Sequence, residues 1–280
     1  MSAILKFAVL QMCSTNDVEE NLSTVETSMQ QAQSQGVDVM LLPENFAQMP
    51  LSGKQLHIET AGTGLVQDFL SEKSRQYSLT TIAGSLAVRD SNLVSTNNKK
   101  PFARSLVYDV NGDCILHYDK IHLYDVDTPS GENYHESNTY NHGKLLEPDQ
   151  HPVFKLNEVT IGLSVCYDLR FPELYRQLTE VGAHLITVPA AFTYETGRAH
   201  WQTLLTARAI ENQVFIAAAG QTGVHANGRR TWGHSMVINP WGKKLNQKKT
   251  STGLLVENID LSELQSLRSN FPVLKHKRIY

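Results

Sequence analysis

Three side chains that could together cleave a carbon–nitrogen bond stand at the ends of apolar runs. Glu44 follows "MLLP", Lys120 follows "ILHYD", and Cys166 follows "GLSV". A cysteine attacks as its thiolate, so it needs a nearby base or cation. A carboxylate can accept the thiol proton, and an ammonium can stabilise the negative charge that builds on an attacked carbonyl or nitrile. These residue types predict covalent thiol catalysis if the three side chains meet.

The pattern of apolar residues along the chain predicts strands and helices that would bring these three side chains to one edge of a sheet. Short apolar runs alternate with segments of helical periodicity, which favours an α/β fold with helices covering a sheet. In such folds the chemistry collects beyond the carboxyl ends of the strands. The main predicted strands are Lys6–Met12, Val37–Asn45, Leu79–Val88, a hairpin around Asn111-Gly112, and Val159–Val165; the main predicted helices begin after Asn16 or Asp17 and cover Leu65–Gln76, Pro172–Val181 and Leu261–Ser269.

Cys166 lies where the predicted strand must turn sharply into the helix that Pro172 opens. A sharp strand-to-helix turn exposes the side chain at its tip, as the nucleophile elbow of other hydrolases does. The same turn aims the backbone N–H of Tyr167 at the point of attack. We therefore predict that Lys120 and the Tyr167 N–H hold the oxyanion.

Composition argues against several classes of protein. The chain has 280 residues, 41% of them hydrophobic, and a net charge of −3, so no basic surplus indicates nucleic-acid binding. The basic pairs Arg229-Arg230 and Lys243-Lys244 are interpreted as solvated turns. No apolar run approaches the roughly 20 residues that span a bilayer, and the N-terminal segment is interpreted as a strand rather than a signal peptide. We expect a cytoplasmic, single-domain enzyme over residues 1–280, with neither a membrane nor a nucleic acid as partner.

The cysteines and cofactor motifs add little further chemistry. Three cysteines at irregular spacing do not suggest a disulfide framework, and both Cys13 and Cys114 are predicted to be buried. The sequence has no Gly-x-Gly-x-x-Gly and no Walker-type loop, so no cofactor is predicted.

Three other interpretations remain open. A Cys–His hydrolase would use His200 or His234 as its base. A catalytically silent scaffold would use the same fold only for binding. A metal centre would draw on a histidine-rich region, although no His-x-x-x-His or His-Glu-x-x-His spacing occurs there. The histidines of that region are His117, His122, His135 and His142.

Four blocks make nearly the whole chain similar to the nitrilase superfamily of carbon–nitrogen hydrolases. They are "LLPEN", "YDKIHLYD", "YHESNTY" and "GLSVCYDLRFPELYR". The resemblance implies a Glu44–Lys120–Cys166 triad assisted by Glu136. It also implies a four-layer αββα sandwich and homodimers or larger homo-oligomers, in which the tail at about 262–280 is a candidate for docking on a neighbouring subunit.

Further segments narrow the resemblance. "ESNTY", "TGRAHWQTLLTARAIENQVFIAAAGQTG" and "LRSNFPVLKHKR" are most similar to the branch that hydrolyses deaminated glutathione to 2-oxoglutarate and cysteinylglycine. Arg198 departs from the proline more usual there. The alternatives within the superfamily are an ω-amidase acting on 2-oxoglutaramate, a nitrilase and a carbamoylase.

An anionic substrate needs a fixed cation, and Arg170 lies four residues beyond the predicted nucleophile. The alternative for Arg170 is an internal ion pair with Glu173 or Asp168. Trp201 is expected in the core. Further candidate substrate-binding residues are Thr193, Tyr194 and Arg198.

Overall fold

The computed structural model describes residues 4–51, 55–91, 100–128, 131–144 and 150–279. In chain order its strands are β1 (Ile4–Gln11), β2 (Val39–Leu41), β3 (Glu59–Thr60), β4 (Thr80–Arg89), β5 (Phe102–Tyr108), β6 (Cys114–Asp119), β7 (Asp125–Asp127), β8 (Asn133–His135), β9 (Val153–Leu156), β10 (Val159–Leu163), β11 (Leu185–Ala190), β12 (Phe215–Gly220), β13 (Thr222–Val224), β14 (Arg230–Trp232), β15 (Ser235–Ile238), β16 (Lys244–Lys248) and β17 (Gly253–Asp260). The α-helices are α1 (Val18–Ser34), α2 (Leu65–Tyr77), α3 (Pro172–Glu180), α4 (Tyr194–Thr196), α5 (Gln202–Asn212) and α6 (Leu261–Asn270). Short 3₁₀ segments cover Glu136–Asn138, Cys166–Arg170 and Val273–His276, and a π-helical turn covers Gly197–Trp201.

Two mixed sheets carry the fold. The first has the order β17-β1-β2-β4-β5-β6, with β3 paired to the end of β4, and the second has the order β16-β15-β12-β11-β10-β9. Strands β1, β2 and β4 are parallel, as are β10, β11 and β12, so helices must carry the chain back between them. Strand β6 runs parallel to β4, because two antiparallel pairings separate them. The ends of β2, β4 and β6 therefore lie at one edge of the first sheet.

Alternation along the strands creates four layers. On β1, Leu5, Phe7 and Val9 belong to the cluster shared with the second sheet, whereas the intervening residues pack with α1 and α2. The outer face of the second sheet is covered by α3 and α5. This arrangement confirms the predicted αββα sandwich. The core shared by both sheets supports the interpretation of one domain, which stays a prediction.

Local signals fix several helix ends. The Asp17 side chain accepts a hydrogen bond from the Glu20 N–H at 3.0 Å and so caps α1. Gly36 follows the end of that helix with φ +65°, a conformation that glycine adopts without strain. Both ends agree with the predicted helix. The fully buried Trp201 confirms its predicted core position.

Other expectations were wrong in detail. Strand β2 is much shorter than the predicted Val37–Asn45, because the chain leaves the sheet before Pro43, which has no N–H to donate. Strand β16 was missed, since "KLNQK" has little apolar alternation. Cys114 is exposed rather than buried, because it begins the edge strand β6. Cys13 is partly buried.

Candidate active site

The structure brings the carboxylate, the ammonium and the thiol together. Lys120 Nζ lies 2.8 Å from Glu44 Oε1, and it lies 2.9 Å and 2.8 Å from the two carboxylate oxygens of Glu136. Cys166 lines the same cavity as Glu44, and burial, together with the Glu44 charge, raises the pKa of the Cys166 thiol. The four side chains line one cavity of about 780 Å³. The catalytic roles of these residues stay predictions, but the proximity on which those roles depend is present.

Glu44 is positioned by a close approach between two neighbouring strands. A Cβ on Gly84 would lie 2.0 Å from the Pro43 carbonyl oxygen, so only glycine lets β4 pass this closely beneath the end of β2. The register of β4 shifts at this point, as expected for an irregularity beside a site. The Ala191 N–H then donates to Glu44 Oε2 at 2.7 Å, and Gln221 Nε2 donates to the Glu44 carbonyl at 3.0 Å. The second sheet thus fixes a side chain that the first sheet delivers.

Lys120 and Glu136 are held by the polar segment after β6. The Gly143 N–H donates to the Lys120 carbonyl at 2.9 Å, and a Cβ on Gly143 would lie 2.1 Å from the Asp119 carbonyl oxygen. Glu136 opens a 3₁₀ segment after the β7–β8 ribbon, and its Oε2 accepts from the Tyr124 N–H at 2.6 Å. The segment that lacked apolar periodicity therefore folds back to bring a second carboxylate onto Lys120.

Cys166 adopts φ +46°, a left-handed conformation that is uncommon for a side chain other than glycine. Asp168, which the sequence reasoning did not select, holds the turn. Its Oδ2 accepts from the Val165 N–H and from the Tyr118 hydroxyl, both at 2.8 Å. Its Oδ1 lies 2.7 Å from His122 Nδ1. The buried carboxylate of Asp168 therefore fixes the backbone on both sides of the predicted nucleophile.

The charges around the thiol favour one resting protonation state. Burial raises the pKa of the Cys166 thiol well above its usual value, and the Glu44 charge adds to this, while Lys120 opposes it. Burial also raises the pKa of Glu44, but Lys120 and, to a smaller degree, Arg229 lower it, with the net result below its usual value. Burial lowers the pKa of Lys120, but Glu136 and Glu44 raise it well above the ordinary range. The resting site therefore contains a neutral thiol beside an ionised Glu44 and a protonated Lys120.

Arg170 lies in the wall of the cavity. Its guanidinium is 5.7 Å from the Tyr167 ring centroid and 5.3 Å from that of Phe192, and its Nη1 is 3.3 Å from His200 Nδ1. In the part of the chain that the structure describes, no ion pair joins Arg170 to Glu173 or Asp168. The geometry thus favours the substrate-binding interpretation over the internal ion pair.

The other three predicted substrate-binding residues divide into two groups. Thr193 lines the cavity, and its hydroxyl lies 2.6 Å from that of Thr196. Neither Tyr194 nor Arg198 is part of the described cavity wall. Tyr194 packs edge-on against Trp232, and Arg198 is exposed. Binding by Tyr194 and Arg198 stays a prediction without support from the cavity.

The interpretation of Arg229-Arg230 as a solvated turn was wrong for Arg229. Its guanidinium enters the cavity, donates from Nη2 to the Ala191 carbonyl at 2.6 Å, and lies 5.2 Å from the Tyr134 ring centroid. Arg230 is exposed and stacks on Tyr194. A usable signal was present: "NGRR" closely follows the strand "FIAAAG", whose end lies at the same edge as the other candidate residues.

The histidines proposed as alternatives have other contacts. His200 is exposed beside Arg170, and His234 stacks on Trp232 with its Nδ1 2.9 Å from the Trp232 carbonyl. His122 is stacked on Phe171. Among the described residues, no group of three or more His, Cys, Asp or Glu side chains is arranged to hold a metal ion. In the same part of the chain, no helix combines the length and apolar character needed to cross a membrane.

Comparisons with known proteins identify the family of the chain. The carbon–nitrogen hydrolase family model matches residues 6–269. Deaminated glutathione amidase of Yersinia enterocolitica is 40% identical, with 97% of this chain and 92% of that protein covered. Its namesake from Synechocystis is 38% identical, with 96% and 97% covered. The structure of Saccharomyces cerevisiae Nit3, a member of branch 10 of the nitrilase superfamily, superposes with a TM-score of 0.84 at 25% identity, covering 99% of this chain and 97% of that one. The chain belongs to the carbon–nitrogen hydrolase family.

Proposed function

We propose that the protein is a thiol-dependent amidase that cleaves a non-peptide amide bond in a small anionic substrate. The observation that carries this proposal is the convergence of the Cys166 thiol, the Glu44 carboxylate and the Lys120 ammonium on one cavity, where Lys120 Nζ lies 2.8 Å from Glu44 Oε1. A neutral thiol beside an ionised carboxylate is the arrangement from which proton transfer can accompany nucleophilic attack.

In the proposed reaction, Cys166 Sγ attacks the amide carbon while its proton passes to Glu44. Lys120 and the Tyr167 N–H hold the oxyanion; amides in the first turn of a helical segment lack partners within that segment. Glu44 then protonates the departing nitrogen as the C–N bond breaks, which leaves a thioester on Cys166. Water hydrolyses the thioester, giving its proton to Glu44, and the thiol is restored. Glu136 orients Lys120 through its two hydrogen bonds to the ammonium.

Deaminated glutathione is the substrate that the relatives' names favour, and it would yield 2-oxoglutarate and cysteinylglycine. Under this proposal the enzyme repairs a misprocessed metabolite. Arg170 would bind the carboxylate of the oxo-acid, since its guanidinium lies in the cavity wall without a carboxylate partner among the described residues. The alternative of an ω-amidase acting on 2-oxoglutaramate requires the same carboxylate contact.

The test compares the wild-type protein with Cys166→Ala on a panel of deaminated glutathione, 2-oxoglutaramate, nitriles and N-carbamoyl amino acids. We expect hydrolysis of deaminated glutathione by the wild type and none by Cys166→Ala, at unchanged melting temperature. Cys114→Ala, at an exposed position outside the cavity, is the matched control and should remain active. Full activity of Cys166→Ala would refute the mechanism, and a preference for nitriles would refute the substrate. A scaffold without catalysis would leave every compound intact and Cys166 unlabelled by iodoacetamide.

The assembly and cellular context are also proposed. We expect a cytoplasmic, single-domain enzyme that forms homodimers or larger homo-oligomers and uses no cofactor. The exposed Trp241 and Phe271 rings, 6.1 Å apart, give the C-terminal side of the molecule an apolar surface that a second subunit would cover. The tail also packs on its own chain, since Arg268 donates to the Gln213 and Ala183 carbonyls. Light scattering at several protein concentrations measures the assembly.

A further inference from the structure

Two guanidinium groups in the cavity wall have no carboxylate partner in the described part of the chain. They belong to Arg170 and Arg229, whereas the positive charge of Lys120 is matched by Glu44 and Glu136. A guanidinium stays protonated at any pH that a folded protein tolerates. The cavity therefore has two fixed positive charges available to a ligand.

Arg229 has an unused donor besides its free charge. Its Nη2 donates to the Ala191 carbonyl, but its Nε is buried without a hydrogen-bond partner. The enclosed Nε is closed to a ligand, but Nη1 is not enclosed and has no hydrogen-bond partner among the described residues, so its N–H groups can donate to a ligand oxygen. Glu132, a further carboxylate in the wall, is exposed and accepts from the Tyr134 hydroxyl at 3.3 Å. Arg229 is therefore a cation held in place beside the site with part of its hydrogen-bonding fork unoccupied.

The two arginines contact different parts of the cavity wall. Arg229 bonds the carbonyl of Ala191, the residue whose N–H bonds Glu44, and its charge helps to lower the pKa of the Glu44 carboxyl without forming an ion pair with it. Arg170 lies over the Tyr167 and Phe192 rings, on the side of the elbow. In the proposed reaction, Glu44 gives its proton to the departing nitrogen. Of the two arginines, Arg229 is therefore the one connected to the group that protonates the departing amine.

We propose that Arg229 binds a carboxylate on the amine half of the substrate, while Arg170 binds the carboxylate on the acyl half. This inference rests on the amidase function proposed above and narrows it to amides of amino acids or peptides. Deaminated glutathione has a carboxylate at the end of its amine half, whereas 2-oxoglutaramate releases only ammonia. Arg229 is then the residue that distinguishes these two substrates, and Arg170 serves both.

The test compares deaminated glutathione with its analogue in which the terminal glycine carboxylate is replaced by a carboxamide. We expect wild-type kcat/KM to favour the carboxylate by roughly 10- to 100-fold, the range for a charge-assisted hydrogen bond. In Arg229→Gln this preference should fall to about threefold or less. Arg170→Gln should lower kcat/KM for both compounds equally and keep the preference. Arg230→Gln removes a neighbouring exposed charge and should also leave the preference intact.

The ratio of kcat/KM for the carboxylate to kcat/KM for the carboxamide distinguishes substrate binding by Arg229 from a role of Arg229 in positioning the Ala191 backbone. If Arg229 only positions Ala191, Arg229→Gln will slow both compounds equally and the preference will persist, which would overturn the inference. Arg229→Lys keeps the positive charge without the guanidinium and serves as the control for a folding defect. We expect this variant to retain part of the preference for the carboxylate. If it lost the preference completely at full thermal stability, recognition of the carboxylate by charge would be contradicted. Failure of the amidase proposal is recognisable separately, because the wild type would then hydrolyse neither amide, and the inference would fall with it.

Discussion

Two of the buried carboxylates, those of Glu44 and Asp168, have opposite surroundings. Glu44 contacts the Lys120 ammonium at the wall of a cavity that the Cys166 thiol also lines. Asp168 is fully buried and is bonded by a hydroxyl, an imidazole and a backbone amide. Both carboxylates are satisfied, but only Glu44 faces a space where a substrate can bring a group that exchanges protons. The role of a buried carboxylate therefore depends on its hydrogen-bond partners and on whether a substrate can reach it. Asp168 holds the backbone, and Glu44 is placed to transfer a proton.

The largest effect should follow from Glu44→Gln, which removes the proton acceptor at the cavity. We expect kcat/KM for the proposed amide to fall by about 100- to 10,000-fold, as for loss of a general base. The fold should persist, because Glu136 still pairs with Lys120. Steady-state kinetics and thermal unfolding measure the two quantities. Glu59→Gln is the control: Glu59 is buried outside the cavity and accepts from the Val66 and Gln67 amides, so its loss should leave kcat/KM within a few-fold. If kcat/KM of Glu44→Gln fell by less than tenfold, Glu44 would not be the proton acceptor and would resemble Asp168 in its role.

Asp168→Ala should mainly reduce the free energy of unfolding, whereas Glu44→Gln mainly reduces activity. It leaves the Tyr118 hydroxyl and the Val165 N–H without an acceptor in the core. We expect the free energy of unfolding to fall by about 3 kcal/mol, the sum of these unsatisfied groups. Urea unfolding measures the change. Asp113→Ala, at an exposed turn position, should stay within about 0.5 kcal/mol. An equally small change in Asp168→Ala would show that the elbow does not depend on this carboxylate.

Tyr118→Phe should produce a smaller loss, because it removes one of several hydrogen bonds to Asp168. Burial and the neighbouring Asp168 raise the pKa of the Tyr118 hydroxyl well above its usual value, so the hydroxyl remains a donor. We expect about 1–2 kcal/mol, measured by urea unfolding. The same change introduced into Asp168→Ala should cost much less, and a double-mutant cycle gives the difference. Additive losses would mean that Tyr118 stabilises the fold independently of Asp168.

The smallest effect should be the response to pH near neutrality. The pKa of Glu44 is lowered, so the base stays ionised until the pH falls below its ordinary 4.5; the pKa of Cys166 is raised, so the thiol stays neutral until the pH rises beyond its ordinary 9.0. We therefore expect kcat/KM to be nearly flat between these values, with losses only outside them. A pH–rate profile measures this. An acid limb near the ordinary histidine pKa of about 6.5 would instead support a Cys–His pair.

Sequence reasoning succeeded where a local pattern has a local cause. The strand Thr80–Arg89 and the helix Pro172–Glu180 follow from short-range periodicity and a proline at the helix start. The candidate residues at positions 44, 120 and 166 were recognisable because each follows an apolar run. Asp168 and Arg229 were missed for one reason: their partners, such as Tyr118 and Ala191, are distant in the chain. The strand "FIAAAG" before "NGRR" indicated that this segment lies near the site, but neither "CYDLR" nor "NGRR" itself shows whether a charged side chain points to solvent or to the interior.

Short-range signals in the sequence were sufficient to identify the residue types available for chemistry, the family blocks and most of the elements, because backbone preferences and apolar spacing act over a few residues. The packing of the two sheets, which the sequence does not show, brings Glu44 from one sheet and Cys166 from the other to the same cavity. The tertiary structure also decided that Lys120 is held between two carboxylates and that Arg229 enters the cavity. Burial and proximity arise when the two sheets pack face to face, and these long-range properties set the protonation states on which the proposed reaction depends.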